Sequence, residues 1–150
     1  MGGTAGGTFT PFSQSRVDYD VELSTRHNGA LDIDINGKTS QFTNSTFKGA
    51  LDDQGDLRID FYGAERGGNQ FGTEILSKAI TTADPSKVRT VSGEFGLTNK
   101  EVFDNLIESG ANQADAAWQT PLGKSLKELG FTDVKVDGTK NGLPHFVFGF

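Results

Sequence analysis

Polar and apolar residues alternate in three segments of the N-terminal half, and this alternation constrains the fold more than any other feature. The segments are VDYDVEL (17–23), LDIDI (31–35) and LRIDF (57–61). A period of two residues is typical of antiparallel strands with one buried and one solvated face. Asn-Gly pairs at 28–29 and 36–37 favour turns, because both residues tolerate positive φ. The pattern predicts a meander of three or four strands.

A helix and a further strand are predicted after the meander. The apolar residues of the helix share one stripe: Phe71, Ile75, Leu76, Ala79 and Ile80. Such a stripe indicates a helix that packs against a core. Asp84-Pro85 ends it, because the residue before a proline avoids the helical conformation. KVRTVSGEF (87–95) then predicts a strand.

Helices dominate the next part of the chain, and a hairpin closes it. Thr98 and Glu101 form a T-x-x-E capping box that predicts a helix start, and Gly110 predicts its end. A short helix is expected at 113–118, and Thr120 is expected to cap another that has a proline as its first residue. FTDVKVDG and HFVFGF predict the hairpin. These elements predict an α+β fold, a mostly antiparallel sheet with helices packed on it.

The composition limits the classes of protein that fit. The 150 residues suit a single domain at 16–150 behind a flexible Gly/Thr-rich leader at 1–15. The formal net charge of −6 does not favour nucleic-acid binding, which needs Lys and Arg for the phosphates. Cysteine is absent, so disulfides and Cys-based zinc sites are excluded. No apolar run approaches the roughly 20 residues of a membrane span, and no membrane contact is expected.

Aspartates recur at alternate positions of the first two predicted strands: Asp18, Asp20, Asp32 and Asp34. This spacing is typical of a solvated sheet face. No metal site is predicted from it, because histidine is scarce and no calcium-loop spacing is present.

A glycine-rich junction, AERGGNQFGTEIL (64–76), joins the last strand of the meander to the first helix. The N–H groups at a helix N-terminus suit an anion, and glycines let a pyrophosphate approach the backbone. The candidate cofactor-binding residues share this junction: Arg66, Gly67, Gly68, Gln70, Gly72 and Thr73. The same glycines also suit an ordinary tight turn from a strand into a helix, and both interpretations stay open.

Roughly from residue 55 to residue 150, the chain has the order strand, glycine-rich loop, helix, strand and helix, and it ends this order in LKELGF (126–131). This arrangement resembles the GNAT N-acetyltransferase family. In that family a Q/R-x-x-G-x-G/A loop binds the pyrophosphate of acetyl-CoA. The resemblance implies acetyl-CoA as cofactor, and a strand at VRTVSGEFG that splays from its neighbour to admit the acyl-pantetheine arm. Gln70 stands where the family has a glycine, and Leu126 stands where it has a tyrosine.

A second resemblance concerns context. NQADAAWQTPLGKSLKELGFTDVKV (112–136) resembles the C-terminal end of bacterial polymorphic toxins, the variable effector domains of Rhs and CdiA-type proteins. It implies delivery from a larger secreted protein, action in the cytoplasm of a target cell, and a cognate immunity protein as partner.

Acyl transfer to an amine needs a base, because a primary amine is protonated at neutral pH. The candidates are three carboxylates near the predicted sheet, Asp60, Glu65 and Glu94. Ser92 shares the strand face of Glu94. This polar pair suits a cleft lining and equally the point where a strand gives way to a loop, and both interpretations stay open.

Two other functional classes stay open. Arg26 and His27, with Glu94 or His145, supply the phosphate-holding and acid–base groups of a ribonuclease or an ADP-ribosyl-type enzyme. A binding or structural module without catalysis is the third class.

Overall fold

A computed structural model of the chain describes residues 9–12, 18–38, 44–64, 68–140 and 142–150. The strands are β1 (Asp18–Thr25), β2 (Leu31–Lys38), β3 (Asn44–Leu51), β4 (Asp56–Ala64), β5 (Thr90–Glu94), β6 (Asp133–Lys140) and β7 (Leu143–Gly149). The helices are α1 (Gly68–Ala83), α2 (Leu97–Glu108), α3 (Gln113–Gln119) and α4 (Pro121–Glu128).

The strands form one sheet in the order β1-β2-β3-β4-β5-β7-β6. The first four strands pair antiparallel as a meander, and α1 then crosses over to bring β5 parallel to β4. Strand β7 inserts between β5 and β6 and is antiparallel to both. The predicted α+β class, the mostly antiparallel sheet and the N-terminal meander are confirmed.

The two faces of the sheet differ in character. Ile33, Ile35 and Phe47 lie on the face that the helices cover, and together with Phe146 and Phe148 they are almost fully buried. The opposite side, here named the polar face, carries the alternate residues of the same strands. Its members include Asp20, Glu22, Asp34, Lys48, Arg58 and Glu94. No helix among the described residues covers the polar face, and the predicted solvated aspartates lie there.

Strand β2 corrects one turn prediction. It continues through Asn36-Gly37, which pair with Asp20 and Tyr19 of β1, so this Asn-Gly is not a turn. Gly37 is buried inside the sheet. The other Asn-Gly does form the β1–β2 turn, with Gly29 at φ +88.

The helix boundaries confirm most of the capping predictions. Helix α1 ends before Asp84-Pro85, and the Thr120 side chain accepts a hydrogen bond from the N–H of Gly123 at the start of α4. The capping box is wrong: α2 begins at Leu97, and no side chain caps it. Thr98 therefore lies inside the first turn.

Residues 9–12 lie against the helices, although the sequence assigns them to the leader. The N–H of Thr10 donates to the carbonyl of Leu129, and the N–H of Phe12 donates to Ser77 Oγ. Phe9 packs against the core. The rest of the predicted leader lies outside the described residues. None of the described helices is both long and apolar enough to cross a membrane.

Candidate functional site

A cleft opens in the sheet where β4 and β5 stop pairing. The two parallel strands pair only over Asp56–Arg58 and Thr90–Ser92, whereas β4 continues to Ala64. The gap has a volume of about 580 Å³ and is bounded by β4, β5, β7, α4, the first turn of α2, and α1 at Gly72. It reaches from the polar face to the helix side of the sheet.

A β-bulge in β4 lies at this cleft. Ile59 pairs with Gly49 and Phe61 pairs with Lys48, so Asp60 is an extra residue in the ladder. Bulges redirect side chains and are over-represented beside active sites. The bulge reverses the alternation of β4, which places Phe61 on the polar face and Tyr62 on the helix side.

The backbone of β4 presents hydrogen-bonding groups to the cleft. The N–H of Asp52 donates to the carbonyl of Asp56, so these two residues form a hydrogen-bonded pair of the antiparallel ladder between β3 and β4. Hydrogen-bonded and non-hydrogen-bonded pairs alternate along such a ladder. When this alternation is followed through the bulge, Phe47 and Tyr62 form a pair without mutual hydrogen bonds. The backbone N–H and carbonyl of Tyr62 therefore point away from β3 and into the cleft.

Tyr62 also places a side chain in the cleft. Burial raises the pKa of its hydroxyl to about 12, and a hydrogen bond with the side chain of Asn99 partly offsets this effect. The Asn99 Oδ1 atom accepts the N–H of Leu122 at 2.9 Å, so the amide turns its Nδ2 atom toward Tyr62. In this arrangement Asn99 is the donor and the hydroxyl oxygen of Tyr62 is the acceptor.

Charged side chains line the mouth of the cleft on the polar face. The Arg58 guanidinium donates to both carboxylate oxygens of Glu94, at 2.9 and 3.2 Å, and its Nε lies 3.3 Å from Asp60 Oδ1. The hydrogen bond from Arg58 to Glu94 raises the pKa of Arg58 above its ordinary value. His145 Nε2 lies 4.0 Å from Glu94 Oε2. Both carboxylate oxygens of Glu94 are thus occupied by Arg58. The side chain of Asp60, in contrast, is 51 % exposed to solvent.

The start of α2 forms another part of the rim. Leu97 has φ +51 and is 86 % exposed, although a leucine rarely adopts the left-handed region. Residues held in such conformations cluster at binding and active sites. This strained residue lines the same cleft as Asp60 and Tyr62.

The glycine-rich junction meets the cleft at α1. Gly72 lines the cleft, and a Cβ added there would lie 3.7 Å from Tyr62 Cε2. Gly68 and Gln70 lie in the first turn of α1, where their side chains are outside the described part of the structure. Glu65, Arg66 and Gly67 lie outside the described residues.

Thr73 is buried between two helices. Its hydroxyl donates to Ser125 Oγ of α4 at 2.8 Å. The side chain therefore joins α1 to α4 and does not face the cleft.

Ser92 and the histidine-based group lie elsewhere. The Ser92 hydroxyl donates to Asp56 at 2.6 Å and is absent from the cleft lining, so only Glu94 of the predicted pair lines it. Arg26 is paired with Asp32 at 2.6 Å, and His27 is exposed in the β1–β2 turn. Strands β3 and β4 separate that hairpin from β5, and its turn lies at the end of the sheet where β4 begins. The structure therefore does not bring Arg26 and His27 to Glu94.

Sequence reasoning missed Arg58, Tyr62 and Asn99. Each residue is unremarkable in its own segment, because Arg58 and Tyr62 sit in an alternating strand and Asn99 in a helix start. Their significance comes from contacts across the fold. An aromatic residue at the end of a strand that feeds a glycine-rich junction is the only local signal for Tyr62.

No protein-family model, curated protein or solved structure matches this chain.

Proposed function

We propose that the chain is an acyl-CoA-dependent N-acyltransferase that binds the acyl-pantetheine arm in the cleft between β4 and β5. One observation carries the proposal: two parallel strands separate after three paired residues and leave a cleft beside the N-terminus of the connecting helix. The alternative of a simple turn at the junction does not explain why the sheet is open at this point.

The edge of β4 suits an extended ligand that carries amide groups. An exposed strand edge binds such a ligand by adding it as a further strand, with main-chain hydrogen bonds. Pantetheine is extended and contains amides. The backbone of Tyr62 offers one N–H and one carbonyl at the middle of the cleft wall.

The N-terminus of α1 suits the pyrophosphate of the coenzyme. Helix α1 has 16 residues, and its first N–H groups have no partner within the helix. Such groups and the helix dipole favour an anion. Gly72 has no side chain to fill the helix side of the cleft. The pantetheine chain that runs from the pyrophosphate therefore has room to pass α1.

Asp60 is the base that we assign to the reaction. Its carboxylate takes a proton from the ammonium group, and the nitrogen lone pair then forms the C–N bond. The nitrogen releases its second proton to solvent, and the C–S bond breaks to release the thiolate. Glu94 is less suited to this role, because both of its oxygens accept hydrogen bonds from Arg58. Glu94 and Arg58 then hold Asp60 in position.

Tyr62 acts as a hydrogen-bond donor in this proposal and not as a proton source. A thiol has an ordinary pKa of about 8.5, more than three units below the pKa of Tyr62 at about 12. Proton transfer from Tyr62 to the departing thiolate is therefore uphill, and the thiolate takes its proton from solvent. A neutral phenol instead stabilises the oxyanion that forms when the amine attacks the thioester.

The toxin context is a separate part of the proposal. We propose that the domain is the effector end of a secreted bacterial toxin, acts in the cytoplasm of the target cell and is neutralised by a cognate immunity protein. Expression of the domain alone should arrest growth, and co-expression of a small protein encoded directly downstream should restore it. Normal growth in cells that express the folded domain would reject this context and leave the transferase proposal untouched.

Calorimetry with acetyl-CoA tests the transferase proposal. Gly72→Leu should weaken binding by at least about tenfold, because the larger side chain enters the cleft beside Tyr62. Gly72→Ala is the matched control, since its Cβ makes only an ordinary contact and should preserve affinity. Both substitutions raise helix propensity by up to about 1 kcal/mol, and a thermal melt of each variant separates lost binding from unfolding. Absence of heat with the native chain, or equal affinity in the leucine variant, would reject the site.

A further inference from the structure

The outer strand of the sheet presents a long edge. Strand β1 is the end strand, eight residues long, and no strand among the described residues pairs with its outer side. All of its residues except Tyr19 are exposed. A long exposed edge of this kind is a template for pairing with another chain.

The backbone groups that face outward can be assigned from the β1–β2 turn. The N–H of Arg26 donates to the carbonyl of Ala30, so this pair is hydrogen-bonded. Hydrogen-bonded pairs alternate along an antiparallel ladder, which makes Glu22–Asp34 another one. The N–H and carbonyl groups of Val21 and Leu23 therefore point away from β2, to the outer edge.

The two sides of this edge have opposite character. Val21 is 38 % exposed and Leu23 is 50 % exposed on the helix side, because α1 packs chiefly on β2, β3 and β4. On β1, α1 meets Tyr19, whose hydroxyl donates to Glu74. Asp20 and Glu22 are exposed on the polar face. Neither has an ion-pair partner among the described residues.

A second copy of the chain does not fit this edge. Antiparallel pairing of β1 with itself keeps the residues of the polar face opposite one another. In the registers centred on Asp20, Val21 or Glu22, acidic side chains of the two copies lie directly opposite each other, and such like-charge pairs are destabilising. The charge pattern therefore disfavours self-association and favours a basic partner.

We propose that the edge of β1 binds a partner protein by adding a strand in which basic residues alternate with apolar ones. The basic residues lie opposite Asp20 and Glu22, the apolar residues lie against Val21 and Leu23, and the main chain bonds to the outward groups of β1. This surface is independent of the acyltransferase proposal.

Fluorescence anisotropy with a labelled nine-residue peptide that alternates lysine with valine tests this surface. The peptide should bind the native chain at least about tenfold more tightly than a version with glutamate in place of lysine. Leu23→Pro removes an outward N–H without touching the ladder to β2 and should weaken binding about tenfold. Leu23→Thr is the matched control, because it removes the apolar side chain and keeps the amide, and should cost only a few-fold.

A charge exchange keeps the test decisive if the proline variant does not fold. The double variant Asp20→Lys, Glu22→Lys should prefer the glutamate peptide over the lysine peptide. If the proline variant folds and still binds the lysine peptide as tightly as the native chain, binding is simple electrostatic adsorption. That result would overturn strand addition. Failure of the native chain to bind the peptide at about 1 mM, or an unchanged preference in the double variant, would also overturn the proposal.

Discussion

The buried hydroxyl of Tyr62 gives the structure a measurable alkaline signature. Tyr62 has a pKa of about 12 in the folded chain, against an ordinary value of 10.0, chiefly because of burial. The folded pKa is the higher one, so the associated stability is fully present below pH 10 and is lost as the pH rises toward 12. At pH 11 the unfolded chain has released this proton far more completely than the folded chain. The loss in unfolding free energy at pH 11 is about 1.4 kcal/mol.

Urea unfolding at pH 9 and pH 11 measures this loss. The native chain should lose about 1.4 kcal/mol more than Tyr62→Phe between these two pH values, because the variant lacks the titrating group. Other groups titrate in both proteins and cancel in the difference.

Absorbance of tyrosinate near 295 nm supplies an independent readout. The sequence contains two tyrosines, so the spectrum of the native chain minus that of Tyr62→Phe reports Tyr62 alone. A midpoint near 10 in the folded chain would refute the burial of this hydroxyl in the cleft wall, and with it the assignment of Tyr62 as a protected donor.

Two further predictions concern stability around the site. Glu94→Gln removes a charge-assisted pair of hydrogen bonds from Arg58 and should lower the unfolding free energy by about 1–3 kcal/mol. The control is Asp104→Asn in the exposed pair with Lys100, which should change the unfolding free energy by less than about 1 kcal/mol. Equal effects of the two substitutions in urea unfolding would contradict the geometry at the cleft mouth. Gly123→Ala should destabilise by at least about 1–3 kcal/mol, because its Cβ would lie 2.0 Å from the carbonyl oxygen of Ala117. Gly96→Ala has open space around its Cβ but places alanine at the N-cap of α2, so it should cost less than about 1 kcal/mol. A thermal melt that ranks the two alanine variants the other way would show that α3 and α4 meet differently.

Much of the fold was predictable, because the alternation of apolar residues is a local signal for strands. Strand β3 was not recognised from the alternation of apolar residues, because Gly49 occupies a core-facing position between Phe47 and Leu51. A Cβ at that position would lie 2.2 Å from the carbonyl oxygen of Arg58, so the packing requires a glycine where the pattern needs an apolar side chain. Asn36-Gly37 is a second exception, a turn signal that lies inside β2, where both residues pair with β1.

The candidate site was less predictable, because a cleft depends on where two distant strands stop pairing. The glycine-rich junction and Glu94 could be selected from local sequence, and Gly72 and Glu94 do line one cleft with Asp60. The partnership of Tyr62 with Asn99, and that of Arg58 with Glu94, exists only after α1 has returned the chain to the sheet. No periodicity encodes such contacts.

Amide hydrogen exchange with and without coenzyme A is the decisive test for a ligand site between β4 and β5. We expect the ligand to add main-chain hydrogen bonds to the open edge of β4. Exchange at the amide of Tyr62 and at the start of α1 should slow when coenzyme A is added, while Val21 and Leu23 of β1 should be unaffected. Unchanged exchange along β4 at saturating coenzyme A, or protection confined to β1, would contradict a ligand site between β4 and β5.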